Sequence, residues 1–184
     1  DYLLEVKSET LGGQIANIIK QTEVIMVKEK PDAILILGDT NSSLSAINAR
    51  RLKIPIFHME EGNRSFDWDV PEEINRRIVD HISDYNLCYT KHAKIYLIEE
   101  NIPPQTIFVT GSPLTEVFLY FKDKIEDSKV LKELKLTPKK YFLISIHREE
   151  NVDNSERLKE IFSSLEFLAE NYKLPIIVSL HPRT

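Results

Sequence analysis

The sequence predicts a parallel α/β protein, and three features carry that prediction. Short, wholly apolar runs alternate with longer amphipathic stretches, and a Gly or a polar cluster stands at the carboxyl end of most runs. Runs apolar throughout imply strands covered on both sheet faces, and strands alternating with helices imply parallel pairing through crossovers. Such crossovers are right-handed. The expected architecture is a doubly wound, Rossmann-like layer.

Each element has its own reason. Residues 9–29 place Leu11, Ile15, Ile18, Ile19 and the apolar run 24–27 at helical spacing. Pro31-Asp32 ends that helix, and 33–37 follows as a buried strand closed by Gly38-Asp39. Helix 41–52 leads to a strand over 54–60, and a polar loop containing Gly62 runs to Pro71. Proline suits the first turn of a helix, here predicted to run to about Ser83. A strand (85–89), a helix (93–100) and a strand (107–110) close this part. Residues 119–140 are rich in Lys, Asp and Glu and hold no strand candidate; strand 141–146, helix 155–171 and strand 175–180 then resume the rhythm. The expected organisation is the C-terminal part of a first Rossmann-like domain (1–118), a connecting segment (119–140) and the start of a second such domain (141–184). A single larger sheet is the alternative.

Composition narrows the function classes. The chain has 184 residues, with 24 Lys+Arg against 29 Asp+Glu and a formal charge of −5. That balance speaks against a general nucleic-acid binder. No apolar run approaches the roughly 20 residues that span a bilayer, so no membrane partner is expected and the reading is a soluble, cytoplasmic enzyme. The single cysteine, Cys88, excludes an internal disulfide framework and a cysteine-rich metal cluster. The chain opens at Asp1 without Met and closes at Thr184 just after an apolar run, which reads as an internal piece of a longer chain.

In open parallel sheets, ligands bind outside the carboxyl ends of the strands. The predicted strands deliver Gly38-Asp39-Thr40, His58-Met59-Glu60-Glu61-Gly62, His147-Arg148-Glu149 and His181-Pro182-Arg183 to that edge. Asp39 precedes a helix, where it either caps backbone N–H groups or serves a site. Glu72 and Glu73 follow Pro71, where the helix dipole favours carboxylates whether or not they act. Strand alternation places Phe57 and Met59 on one face and His58 with Glu60 on the other, beside the Gly62 loop. His147, followed by an arginine, reads as an anion site. Asp67-Trp68-Asp69 has the Asp-x-Asp form of a cation holder, and His58-x-Glu60 is half of a metal site without a third ligand. Neither Gly-x-Gly-x-x-Gly nor a Walker loop is present, so binding of NAD or ATP by those devices is not expected. Cys88 reads as a small core residue.

Taken in order, Gly38-Asp39-Thr40, His58-Met59-Glu60-Glu61-Gly62-Asn63-Arg64, Pro71-Glu72-Glu73-Ile74-Asn75-Arg76, Thr110-Gly111-Ser112 and His147-Arg148-Glu149-Glu150-Asn151 resemble the non-hydrolysing UDP-N-acetylglucosamine 2-epimerase family. The resemblance covers nearly the whole chain. It implies two Rossmann-type domains of the glycosyltransferase-B-like kind, with a UDP-sugar in the cleft between them, no cofactor, no metal, and a homodimer. It also implies C2 epimerisation of a UDP-2-acetamido sugar through elimination and re-addition of UDP. Position by position, Asp39, Glu60 and Glu72 match the family's acidic catalytic residues and His147 its histidine near the diphosphate. Arg148 and His181 match substrate- or effector-binding positions. Arg64 is expected to pair with Glu60 or the phosphates. Glu61 stands where the family usually has Ala. The version His-Met-Glu-x-Gly-Asn-Arg-x-Phe-Asp is more similar to the capsule and O-antigen branch that makes UDP-N-acetyl-L-fucosamine from UDP-2-acetamido-2,6-dideoxy-L-talose. A retaining glycosyltransferase of the same architecture, or a non-catalytic UDP-sugar-binding module, are the competing readings; neither needs the carboxylate set.

Overall fold

The computed structural model describes residues 1–146, Asn151 and 153–179. The chain divides into two compact units, 1–116 and 117–184.

The first unit is built on four parallel strands: β1 (Ile34–Leu37), β2 (Ile56–Met59), β3 (Tyr85–Cys88) and β4 (Ile107–Val109), in the order β1-β2-β3-β4. The register sets Ile36 beside His58 and His58 beside Asn86. Helix α1 (Leu11–Glu29) opens on Thr10, whose side chain accepts the Gly13 N–H at 3.1 Å, and ends on Lys30 in the left-handed region. A 3-10 turn (Asn41–Ser45) precedes α2 (Ala46–Arg51) where a single helix was expected. Helix α3 (Pro71–Ile82) begins on its proline, as its fixed φ allows, and α4 (Lys91–Glu99) is capped by Thr90.

All four helices lie on one face of this sheet. Met26, Ile36, Leu44, Ala46, Ala49, Ile56 and Val79 form one buried cluster, and Cys88, Ala93, Leu97, Ile102 and Ile107 form another. Each fully buried side chain of the size of Ile56 or Leu97 contributes about 1.5–3 kcal/mol. Strand order equals chain order, so crossovers of one hand return to the same side every time. The opposite face carries Leu35, Leu37, Tyr85 and Phe108, all exposed, with Phe57 stacked on Tyr85 at 4.8 Å. The apolar character of both strand faces is therefore real, but the described residues supply helical cover for only one. Cys88 is a buried free thiol in that covered core, as read from the sequence.

The second unit holds β5 (Phe142–Ser145), α8 (Ser155–Tyr172) and β6 (Ile176–Ser179), with β5 and β6 paired in parallel. Asn154 caps α8, its Oδ1 accepting the N–H groups of Glu156 and Arg157, both at 3.1 Å. The polar stretch before β5 carries the short helices α6 (Lys122–Glu126) and α7 (Val130–Glu133), and α5 (Leu114–Tyr120) runs across the division between the units. No helix among the described residues is long and apolar enough to cross a membrane.

Candidate active site

The site forms where β1 and β2 end. Gly38, at φ +75°, turns the chain at the tip of β1 and presents Asp39. That conformation is open to glycine at little cost. Asp39 does not cap the turn that follows, whose N-terminal residue is Thr40. Its Oδ2 instead accepts from Arg76 Nε at 2.9 Å and Nη2 at 2.5 Å. Asn75 Nδ2 donates to the Asp39 carbonyl at 2.9 Å, so two neighbouring residues of α3 hold this turn by backbone and side chain.

Glu60 follows β2 at φ +72°. For a residue with a Cβ the left-handed region costs about 1–2 kcal/mol, and such residues gather at functional sites. The carboxylate swings over β1, placing Oε2 3.7 Å from where a Cβ on Gly38 would stand. Asp39 and Glu60 are thus brought together at one sheet edge. Glu72 lies exposed in the first turn of α3, one turn from Asn75 and Arg76.

The left-handed turn at Glu60 ends the strand alternation on which the sequence reading relied. Glu60 points outward, and Glu61 rather than Glu60 joins His58 in the interior. His58 and Glu61 are 0% and 1% exposed. His58 Nε2 faces the Gly38 carbonyl at 3.0 Å and contacts Glu61 Oε1, while Nδ1 lies 3.2 Å from Asp80 Oδ1. Burial, reinforced by the Asp80 and Asp39 carboxylates, pushes the Glu61 carboxyl far above the usual range. Burial works against Asp80 as well, but contacts from Glu61, His58 and Arg64 hold its pKa low, so the two neighbouring carboxyls are shifted in opposite directions.

Arg64 is a correction to the sequence reading. Its side chain is fully buried, and its charged partners among the described residues are Asp80 and Glu100 rather than Glu60. Nη1 reaches Asp80 Oδ2 at 2.8 Å, and Nε and Nη2 fork onto the two Glu100 oxygens at 2.7 and 2.6 Å. Burial opposes the charge, and the Glu100 and Asp80 carboxylates overcome it, so the guanidinium pKa is raised. The ladder continues from Glu100 to Arg77 at 2.8 Å, from Arg77 to Glu73 at 2.8 Å, and from Glu73 to Arg76 at 3.3 Å. Glu73 is fully buried and also accepts the Ser65 N–H at 3.0 Å; despite burial, that bond and Arg77 keep its pKa low. An unbroken run of ion pairs therefore joins Asp39 to Asp80, which lies against His58.

The sequence reading missed Asp80, Glu100 and the buried roles of Glu73 and Glu61. One signal was present: Glu73, Arg76, Arg77 and Asp80 stand at i, i+3, i+4 and i+7 of α3, a polar stripe at the spacing of a core face. Asp67 Oδ1 accepts the Asp69 N–H at 3.0 Å, and Trp68 lies under Arg77 at 4.9 Å, which gives the Asp-x-Asp segment a local structural role. His147, Arg148 and His181 lie outside the described residues.

A parallel sheet with Asp39 and Glu60 at the ends of adjacent strands defines an α/β protein with a candidate small-molecule site at its carboxyl edge. The chain belongs to the UDP-N-acetylglucosamine 2-epimerase family, which it matches over residues 1–184. It is 41% identical to a UDP-N-acetylglucosamine 2-epimerase of Methanocaldococcus jannaschii over 100% of this chain and 51% of that protein. A UDP-2,3-diacetamido-2,3-dideoxy-D-glucuronate 2-epimerase of Pseudomonas aeruginosa is 34% identical, again over 100% of this chain and 51% of the relative. Among solved structures, the Rickettsia bellii UDP-N-acetylglucosamine 2-epimerase superposes with a TM-score of 0.88 at 52% identity, covering 100% of this chain and 48% of that one. The M. jannaschii enzyme in complex with UDP-GlcNAc and UDP gives 0.87 at 40% identity, over 100% and 51%. The chain spans about half the length of the relatives it matches.

Proposed function

We propose that the protein epimerises C2 of a UDP-2-acetamido sugar by eliminating UDP across C1–C2 and adding it back with the proton returned to the other face. The observation that carries this reading is the pairing of Asp39 and Glu60 at the ends of adjacent strands, with Glu72 on the helix that holds Asp39. A C2 proton without a neighbouring carbonyl is not acidic enough to be removed alone, so departure of UDP must accompany its loss. Carboxylates on either side of C2 supply the acceptor and the donor, a contribution of about 10²–10⁴ in rate. Arg76 orients Asp39 and balances its charge. His147, Arg148 and His181 are proposed for the diphosphate and substrate side, on the family match alone. UDP-sugar binding is supported by the relatives solved with UDP-GlcNAc and UDP.

The sugar is the finer part of the proposal. The relatives named above act on differently substituted UDP-sugars, and all are 2-epimerases. We propose UDP-GlcNAc or UDP-2-acetamido-2,6-dideoxy-L-talose as the sugar, the second from the likeness of the His58–Asp67 motif to the capsule and O-antigen branch; its product would serve surface-polysaccharide assembly. A homodimer belongs to the same proposal and is checked by light scattering of the full-length protein. The decisive experiment offers each UDP-sugar in D₂O and follows C2–H and free UDP by NMR. Deuterium at C2 with epimerised product supports the mechanism and identifies the sugar. Turnover without C2 exchange, or transfer of the sugar to an acceptor, refutes it. Glu60→Gln is expected to lower exchange at least 100-fold with UDP affinity retained.

A further inference from the structure

We infer that Glu61 is a positioning residue: with His58, Asp80 and Arg64 it closes a buried group that holds the Gly38–Asp39 turn and the Glu60 turn in fixed relation. The inference rests on the reading of Asp39 and Glu60 as the reacting carboxylates. His58 is the link to the first turn, because its Nε2 faces the carbonyl immediately before Asp39 at 3.0 Å. Glu61 is the link to the second, because its side chain can enter the interior only while Glu60 stays left-handed and outward. Arg64 ties the far end of the same loop, meeting Asp80 Oδ2 and the Asn63 carbonyl, each at 2.8 Å. Gly62 prevents drift: it is buried against α4, with the Ala93 carbonyl oxygen 2.4 Å from where a Cβ would stand.

His58, Glu61 and Asp80 place possible ligand atoms within 4.8 Å of one another, the spacing of a cation site. The arrangement suits shared protons better. The carboxylates approach different ring nitrogens of His58, and Asp80 already holds Arg64. The charged groups that bear on Glu61 are His58 and Asp80 at close range, and Arg64 and Asp39 through their charge. Two carboxylates facing one imidazole, with Arg64 also spent on Glu100, leave an excess of acceptors, and a neutral Glu61 carboxyl supplies the missing donor.

The test uses the full-length protein and two readouts. Hydrogen–deuterium exchange of backbone amides over 36–41 and 58–65 reports the turns directly. Glu61→Ala is expected to raise exchange in both segments about tenfold, and Glu61→Gln, which keeps a donor and cannot ionise, to match the unmodified protein. Glu61→Met replaces the alanine variant should that one fail to fold. Wild-type exchange rates in Glu61→Ala or Met, or a glutamine variant as loose as the alanine one, overturn the inference. In the second readout, Glu61→Ala lowers the rate of C2 deuterium incorporation about tenfold with UDP affinity within twofold, and Glu61→Gln restores it. Loss of UDP binding in parallel with the rate marks a general structural role and also overturns it. An unmodified protein that incorporates no deuterium refutes the epimerase reading, and the amide exchange then decides the positioning role by itself.

Discussion

Replacing Arg64 by Met separates the role its position in the sequence implies from the one its burial assigns. A phosphate-binding arginine can be lost at little cost to folding, whereas a buried one leaves its partners stranded. Arg64 compensates Asp80 and Glu100 from a fully enclosed position. Glu100 keeps Arg77 at 2.8 Å, so Asp80 bears most of the loss. Removing one partner of a buried pair costs about 3–5 kcal/mol, and the retained Arg77 contact favours the lower end. At about 4 °C per kcal/mol for a unit spanning residues 1–116, a loss of about 3 kcal/mol should lower the melting midpoint by roughly 12 °C. Urea denaturation and thermal melting measure the loss, and calorimetric titration with UDP measures binding at a temperature where the variant stays folded. The reasoning is refuted if stability stays within 1 kcal/mol of the unmodified protein while UDP affinity drops tenfold or more. That pattern would put Arg64 on the diphosphate.

Further predictions follow from the same geometry. Gly62→Ala meets both a left-handed backbone at φ +76° and the Ala93 carbonyl oxygen, so it should destabilise by about 3 kcal/mol or more, measured by urea denaturation. Arg76→Lys keeps the charge but loses the Nε and Nη2 contacts to Asp39; turnover should fall about tenfold with melting nearly unchanged, because a point charge cannot reproduce the fork. Glu61 also predicts a pH signature. Its folded pKa is raised, so above the unfolded value of about 4.5 folding must take up a proton, and stability falls as pH rises at up to about 1.4 kcal/mol per unit. Glu61→Gln lacks that proton, so its stability relative to the unmodified protein should grow from pH 5 to pH 8 and converge near pH 4. A difference independent of pH would place a charged Glu61 in the folded protein.

The sequence by itself determined the sheet and the edge at which the candidate site lies. Periodicity placed every strand of the first unit within a few residues, because apolar runs and helical spacing are local properties of the chain. It also brought Asp39 and Glu60 to the strand ends, since in a parallel sheet the residue after each run is carried to the same edge. The tertiary structure alone decided which carboxylate faces out and which is buried. One residue in the left-handed region at Glu60 reversed the alternation and sent Glu61 inward. It alone also assigned Arg64 to Asp80 and Glu100, the latter 36 positions away. Such partners depend on sheet register and on how α3 and α4 lie against β2 and β3, and a sequence pattern carries the periodicity of each element but not the distance between them.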